Sequence, residues 1–359
     1  MTNTNTLPCV LMRAGTSRGP FFLKDWLPED TATRDRVLRG AIGASDLGQI
    51  DGLGGGSTLT SKVAIVSRSS RADCDIDYLF AQVSAQGVDT RPNCGNMLAG
   101  VAPFAIEQGL VQPADGMTSV RVHNVNTGAR IDVSLHTPSG RVVYDGDVCI
   151  DGTPGPAAPV YLSFLDAWGA VTGRLFPTGQ RTEGIDGVEV SCIDAAMPMV
   201  LMRACELGVS GHESAAELDA MPELLARIER IRREAGRRMG LGDVSASVVP
   251  KPVLLAEGAE PGAIVSRYFT PWRCHTAHAV TGAVGVATAY ALPGTVAHRE
   301  DLAPGEHTVR VLHPSGVIRI ALELRGSAHE PEVTRASVVR TTRKIMEGAL
   351  HIPPYVLNA

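Results

Sequence analysis

Short runs of apolar, β-branched residues recur along this chain, each closed by glycine, proline or polar residues, which is the pattern of strands and turns. The pattern predicts strands over 9–12, 63–67, 77–82, 120–123, 131–135, 142–144, 188–193, 253–255 and 309–312. Helical spacing is rarer. It predicts a helix over 30–42, introduced by acidic residues, and a longer amphipathic one over 215–239 that breaks at Pro222. Two further segments, 95–110 and 276–292, are small and apolar all round. Helices of that kind have no solvent face and must be enclosed by other elements.

The same two segments head a weak internal repeat. GNMLAGVAPFAIEQGLV (95–111) and TAHAVTGAVGVATAYAL (276–292) share length and character, and each follows a Cys or His with an arginine shortly before it. Downstream, SVRV (119–122) leads through Asn126-Thr127-Gly128 to ARIDVSL, as TVRV (308–311) leads through Pro314-Ser315-Gly316 to VIRIALEL. Each half therefore reads as buried helix, strand, glycine turn, strand. The expected fold is α+β, with two pseudo-symmetric lobes, each a mixed β-sheet or barrel wrapped around a central helix. The lobes are expected at 1–182, carrying Lys62 and Cys94, and at 183–359, carrying His275, with the last residues packing on the first lobe. Under a pseudo-twofold, the two helix N-termini would face one cleft and offer an anion site that needs little net positive charge.

Composition narrows the partners. A net charge of −5 without any Lys/Arg block argues against nucleic acid. No apolar run reaches membrane-spanning length, and the polar stretch 1–7 lacks a signal-peptide core. Seven cysteines with no C-x-x-C pair read as reduced thiols of a cytoplasmic protein, with no zinc or other metal site expected. A homo-oligomer is compatible with all of this.

The candidate chemistry sits in three segments. Cys94, flanked by Asn93, Gly95 and Asn96, opens the first apolar helix, where unpaired N–H groups and the helix dipole favour a thiolate. The plain alternative is a buried helix-end cysteine. Lys62 follows a glycine-rich stretch (51–58), Thr60 and Ser61, and enters the apolar strand 63–66. A lysine there is either partly buried, with a lowered pKa that suits a general base, or snorkels outward at a strand edge. Arg13, Thr16, Ser17 and Arg18 follow the first strand and supply guanidiniums and hydroxyls for a carboxylate, or form an ordinary glycine turn. His275 and Arg273 lead the second apolar helix; His275 is expected to donate to an anion and His278 to be structural. P-loop and G-x-G-x-x-G patterns are both absent.

At this point the chain resembles a known family. MRAGTSRGPFF (12–22), IDGLGGGSTLTSKVAIV (50–66), NCGNMLAGVAPFAIEQGLV (93–111), VPKPVLL (249–255), CHTAHAVTGAVGVATA (274–289), HPSG (313–316) and RTTRKIMEG (340–348) are similar to the PrpF family of allylic isomerases. The resemblance implies a diaminopimelate-epimerase-like fold and a cofactor-free shift of a carbon–carbon double bond in a small di- or tricarboxylate. By overall pattern the chain looks nearest to the family's 4-oxalomesaconate enzymes, with a place in aromatic-compound breakdown. The family's 2-methylaconitate, methylitaconate and aconitate isomerases are the alternatives. Departures fall at Ala14, Arg18, Gly56, Ser57, Thr58, Asn124, Val125, Gln180, Ala195 and Ala196, several of them where substrate groups would bind.

The resemblance implies that Lys62 removes a proton and that Cys94, or a water it positions, returns one at the far end of the allyl system. Arg13, Thr16, Ser17, Arg18, Thr60, Ser61, Asn93, Gly95, Asn96, Arg273 and His275 would bind the substrate. An amino-acid racemase of the related fold, with Cys274 opposing Cys94, and a non-catalytic carboxylate-binding protein are the competing readings.

Overall fold

A computed structural model describes residues 6–165 and 167–357; the first five residues of the polar N-terminal stretch lie outside it. Packing divides the chain into two compact units. The first comprises residues up to 126, 130–162 and from 339 onward; the second comprises 127–129 and 163–338. The exchange thus falls at Leu162/Ser163 and not at 182/183, and the C-terminal segment belongs to the first unit because its last strand pairs there.

In the first unit, β1 (Thr6–Ala14) and β2 (Ser17–Leu23) form a hairpin, β3 (Lys62–Arg68) joins β2 in parallel, and β4 (Ile76–Ser84) joins β3 antiparallel. The short β5 (Gly87–Asp89) pairs with β4. Next come β6 (Gly116–Asn124), parallel to β4, and β7 (Arg130–Thr137), antiparallel to β6; β8 (Pro159–Phe164) follows in the order. Helix α1 (Thr31–Ile42) covers the outer face with Val37, Leu38, Ala41 and Ile42 against Val63, Ile65 and Phe22. Asp30 caps its start by accepting the Thr33 N–H at 2.8 Å, and Gly43 ends it with φ +75°.

The central helix of this unit is not one continuous stretch over 95–110. It is α2 (Gly95–Leu98) and α3 (Val101–Glu107), both almost wholly buried. Pro103 has no N–H to offer the Ala99 carbonyl one turn back, so the helical ladder breaks there. The break also brings Gly100 against Phe21, where an added Cβ would lie 2.5 Å from the ring.

The second unit repeats the same moves. β9 (Glu183–Ile185) pairs with β10 (Val188–Asp194), and β10 forms a hairpin with β11 (Pro198–Arg203). Between β11 and the next strand lie α4 (Ala215–Asp219) and α5 (Pro222–Arg238), separated as expected at Pro222, which stands at the first helical position where its missing N–H costs nothing. β12 (Lys251–Glu257) is parallel to β11, β13 (Ala263–Tyr268) antiparallel to β12, β14 (Gly305–His313) parallel to β13, and β15 (Gly316–Gly326) antiparallel to β14. The antiparallel–parallel alternation from β1 to β7 thus recurs from β10 to β15, and the fold is diaminopimelate-epimerase-like with two pseudo-symmetric halves. Helix α6 (Val280–Ala291), buried at every residue, lies on one face of this sheet, and α4 and α5 close an apolar core on the other.

The last strand, β16 (Pro331–His351), pairs with β15 through its first part and with β1 through its last. The order β1-β2-β3-β4-β6-β7-β8-β16 therefore returns to β1, and the central helices pack against strands of this ring. The expected strand at 142–144 is irregular chain, where the Tyr144 hydroxyl donates to Glu107 at 3.0 Å.

Candidate functional site

Lys62 is the first residue of β3 and is only 7% exposed. Its strand lies so close to β2 that a Cβ on Gly19 would stand 1.9 Å from the Lys62 carbonyl oxygen. Glycine at 19 is therefore what lets the lysine reach inward beside Ser17. The Lys62 Nζ donates to Ser17 Oγ at 3.0 Å and lies 3.4 Å from Cys94 Sγ. The ring of Phe80 closes the other side, its centroid 6.0 Å from Nζ. A buried amine that meets a hydroxyl, a thiol and an aromatic face, with a proton carrier in direct contact, is arranged for proton transfer.

Cys94 stands as the N-cap of α2 in extended conformation and is 7% exposed. Its carbonyl accepts from the Tyr78 hydroxyl at 3.1 Å. Burial first, and then the neighbouring Cys94, push the Tyr78 phenol well above its ordinary range, so it stays a neutral donor that fixes the backbone under the thiol.

The turn between β1 and β2 completes this part. Gly15 has φ +52°, and a Cβ there would meet Asn96 Oδ1 at 2.1 Å. The buried Asn96 accepts the Thr16 N–H at 3.3 Å, tying the turn to α2 beside Gly95. Thr16 Oγ1 is buried without a hydrogen-bond partner. Asn93 Oδ1 accepts from Asn124 Nδ2 at 2.6 Å, and Asn124 Oδ1 accepts the Asn126 N–H at 3.0 Å, which braces the segment leading into Cys94.

Four of the expected ligands also make framework bonds. Arg13 donates through Nη1 to the Thr341 carbonyl at 2.6 Å and hydroxyl at 2.7 Å. Arg18 donates through Nη2 to the carbonyls of Gly54 at 3.1 Å and Leu53 at 3.4 Å. Thr60 bonds Ser57, and Ser61 donates to Ser57 and to Gln49. Arg18, Thr60 and Ser61 shape the glycine-rich loop, which delivers Lys62, and Arg13 ties β1 to β16.

Gln49 organises that loop and was not legible from the sequence. Its Oε1 accepts the N–H groups of Gly55 and Gly56, each at 3.0 Å, and the Ser61 hydroxyl at 2.8 Å. A buried glutamine in a turn carries no pattern of its own; only its place just before a glycine run hints at such a role.

In the second unit, α6 begins at Val280, so His275 does not stand at a helix N-terminus as the repeat suggested. The reason is local bonding. His275 Nδ1 accepts the Ala277 N–H at 2.9 Å, and His278 bonds Ser266 Oγ through Nε2 at 2.8 Å and the Ala279 carbonyl through Nδ1 at 2.9 Å, so residues 276–279 turn before the helix starts. With Nδ1 accepting, neutral His275 carries its proton on Nε2 and can donate from there. His278, 1% exposed, is structural. Arg273 is exposed. Cys274 lies in the apolar core under α5, where burial pushes its thiol up to about 12. Among the described residues, no helix is long and apolar enough to cross a membrane.

Comparison with known proteins gives the same picture over the whole length. Residues 4–353 match the family profile described as PrpF protein. YbhH of Escherichia coli (strain K12) is 51% identical over 349 residues, 97% of this chain and 99% of that one; its name proposes an isomerase and gives no substrate. The 4-oxalomesaconate tautomerase of Pseudomonas putida is 45% identical over 350 residues, 96% of each chain. A crystal structure of methylitaconate-delta-isomerase superposes with a TM-score of 0.78 at 34% identity, covering 98% of this chain and 97% of that one.

Proposed function

Since the chain belongs to the PrpF family and is an isomerase of that family, we propose that it moves a carbon–carbon double bond in 4-oxalomesaconate by a cofactor-free 1,3-proton transfer. The observation that carries this reading is the direct contact of Lys62 Nζ with Cys94 Sγ at 3.4 Å, inside a buried pocket of hydrogen bonds. The higher identity to the 4-oxalomesaconate enzyme than to methylitaconate-delta-isomerase supports the choice of substrate.

The steps follow from the contact. Neutral Lys62 takes a proton from the carbon next to the activated double bond and becomes an ammonium, and the electron pair spreads into a dienolate. The Cys94 thiol gives its proton to the carbon at the far end of the allyl system and becomes a thiolate. One proton then passes from the ammonium to the thiolate across the same contact, and both groups return to their starting state. Ser17, which accepts from Lys62, holds the amine in line throughout. Donors fixed before the reaction stabilise the dienolate better than mobile water.

The test is proton NMR of 4-oxalomesaconate in deuterated water. Lys62→Ala and Cys94→Ser are each expected to lower double-bond migration by roughly 10²–10⁴-fold, while Cys274→Ala leaves it unchanged. Normal turnover in both of the first two variants would sink the assignment. Loss of turnover in Cys274→Ala would instead favour the racemase-like pairing, which the high thiol pKa of Cys274 disfavours.

A further inference from the structure

The Lys62–Cys94 contact sets up a second chemistry besides proton transfer. All seven cysteines of the chain are free. Burial pushes the thiols of Cys9 and Cys274 up to about 12 and that of Cys192 up as well, which keeps all three in the unreactive protonated form. Cys94 is buried too, yet its Sγ lies 3.4 Å from an amine, in a chain that has four lysines. Both partners are held from outside the pair. Ser17 Oγ on β2 accepts from Lys62 Nζ at 3.0 Å, and the Tyr78 hydroxyl on β4 donates to the Cys94 carbonyl at 3.1 Å. Rotation about the four-carbon lysine stem shortens the sulfur–nitrogen gap without moving β3 or α2.

We propose that Cys94 and Lys62 form an oxidative modification site, at which a hydroperoxide oxidises the thiol and the lysine amine traps the product as a reversible sulfenamide cross-link. Passing one proton from the thiol to the amine gives thiolate and ammonium. The thiolate attacks hydrogen peroxide: an S–O bond forms, the O–O bond breaks, and the departing hydroxide takes the ammonium proton and leaves as water. Cys94 is then a sulfenic acid, oxidised by two electrons, and Lys62 is a neutral amine against it. Its nitrogen attacks the sulfur, the S–N bond forms, and the S–O bond breaks. The displaced hydroxide takes a proton from nitrogen and leaves as a second water. A sulfenic acid without such a partner is carried on by further peroxide to sulfinic acid, which thiols do not reduce. A thiol reverses the cross-link by attacking its sulfur and returning a proton to the amine; a second thiol then frees Cys94 from the mixed disulfide.

The cross-link needs the contact alone and no isomerisable substrate. It occupies both groups to which proton transfer is assigned, so peroxide stops turnover and a thiol reductant restores it.

The full-length protein, treated with hydrogen peroxide, digested and read by tandem mass spectrometry, tests this without any turnover. The wild type is expected to yield one pair of peptides joined through Lys62 and Cys94, two hydrogens lighter than their sum. Dithiothreitol is expected to return both parent peptides. In Lys62→Met the joined pair is lost and Cys94 advances to sulfinic acid, two oxygens heavier and not recovered by dithiothreitol. Lys62→Gln serves if the methionine variant does not fold, and the wild-type measurement needs neither. No joined pair in the wild type, a joined pair that retains an oxygen, or sulfinic acid formed equally fast with and without the Lys62 amine would each overturn the proposal. A cross-link in a protein that does not isomerise 4-oxalomesaconate would leave this inference standing and defeat the proposed reaction instead.

Discussion

At the scale of single residues, the site depends on glycines as much as on its chemical groups. Gly15 holds a left-handed φ of +52° and lies where a Cβ would collide with Asn96 Oδ1 at 2.1 Å. Any side chain there strains the backbone and displaces the asparagine that ties the turn to α2. Gly15→Ala is expected to cost about 1–3 kcal/mol of stability, read from denaturant unfolding, and to lower kcat/KM in addition. Adding Asn96→Ala should recover the part of the stability lost to the collision, with the backbone strain remaining, but leave activity low, because the bond to Thr16 is gone. Recovery of both together would show that Asn96 matters only by its bulk.

At the scale of elements, the glycine-rich segment before β3 behaves as a scaffold. Its amides bond Gln49, its carbonyls take the Arg18 guanidinium, and the close passage of Gly52 and Gly54 past the Ile42 carbonyl seats it on the end of α1. Gln49 itself has φ +54°, a conformation that a glutamine keeps only when its surroundings require it. Gln49→Leu leaves two amides and a hydroxyl without their acceptor. Its expected signature is a fall in kcat larger than the rise in KM, together with faster hydrogen exchange at the Gly55 and Gly56 amides. Unchanged exchange at those amides would show that the loop holds its shape without the glutamine.

At the scale of the whole molecule, the C-terminal part of β16 closes the strand ring of the first unit, pairing with β1 from Thr6 to Ala14. Removing residues 339–359 would open that ring, expose the unpaired groups of two strands and uncover the central helices. Loss of the cooperative unfolding transition of the first unit is the expected result, with Lys62 and Cys94 no longer held together; a truncated protein that unfolds like the full chain would contradict it. Much of this architecture was legible beforehand. Residue type and spacing determined the buried helical segments, the strand–glycine–strand repeat and the break at Pro222, while the pairing of Lys62 with Cys94 came from the family resemblance. Those features are local, because apolar periodicity, proline and glycine act within a few residues of themselves. Tertiary structure alone decided the rest. Arg13 and Arg18 each bond a carbonyl brought to them from elsewhere in the fold, as far away along the chain as Thr341. The long charged strand β16 shows no clean alternation, and its partners lie at opposite ends of the sequence. Gln49 and Tyr78 acquire their roles only from what the fold sets against them. A hydrogen bond depends on distance in space, and distance in space is what one-dimensional order leaves open.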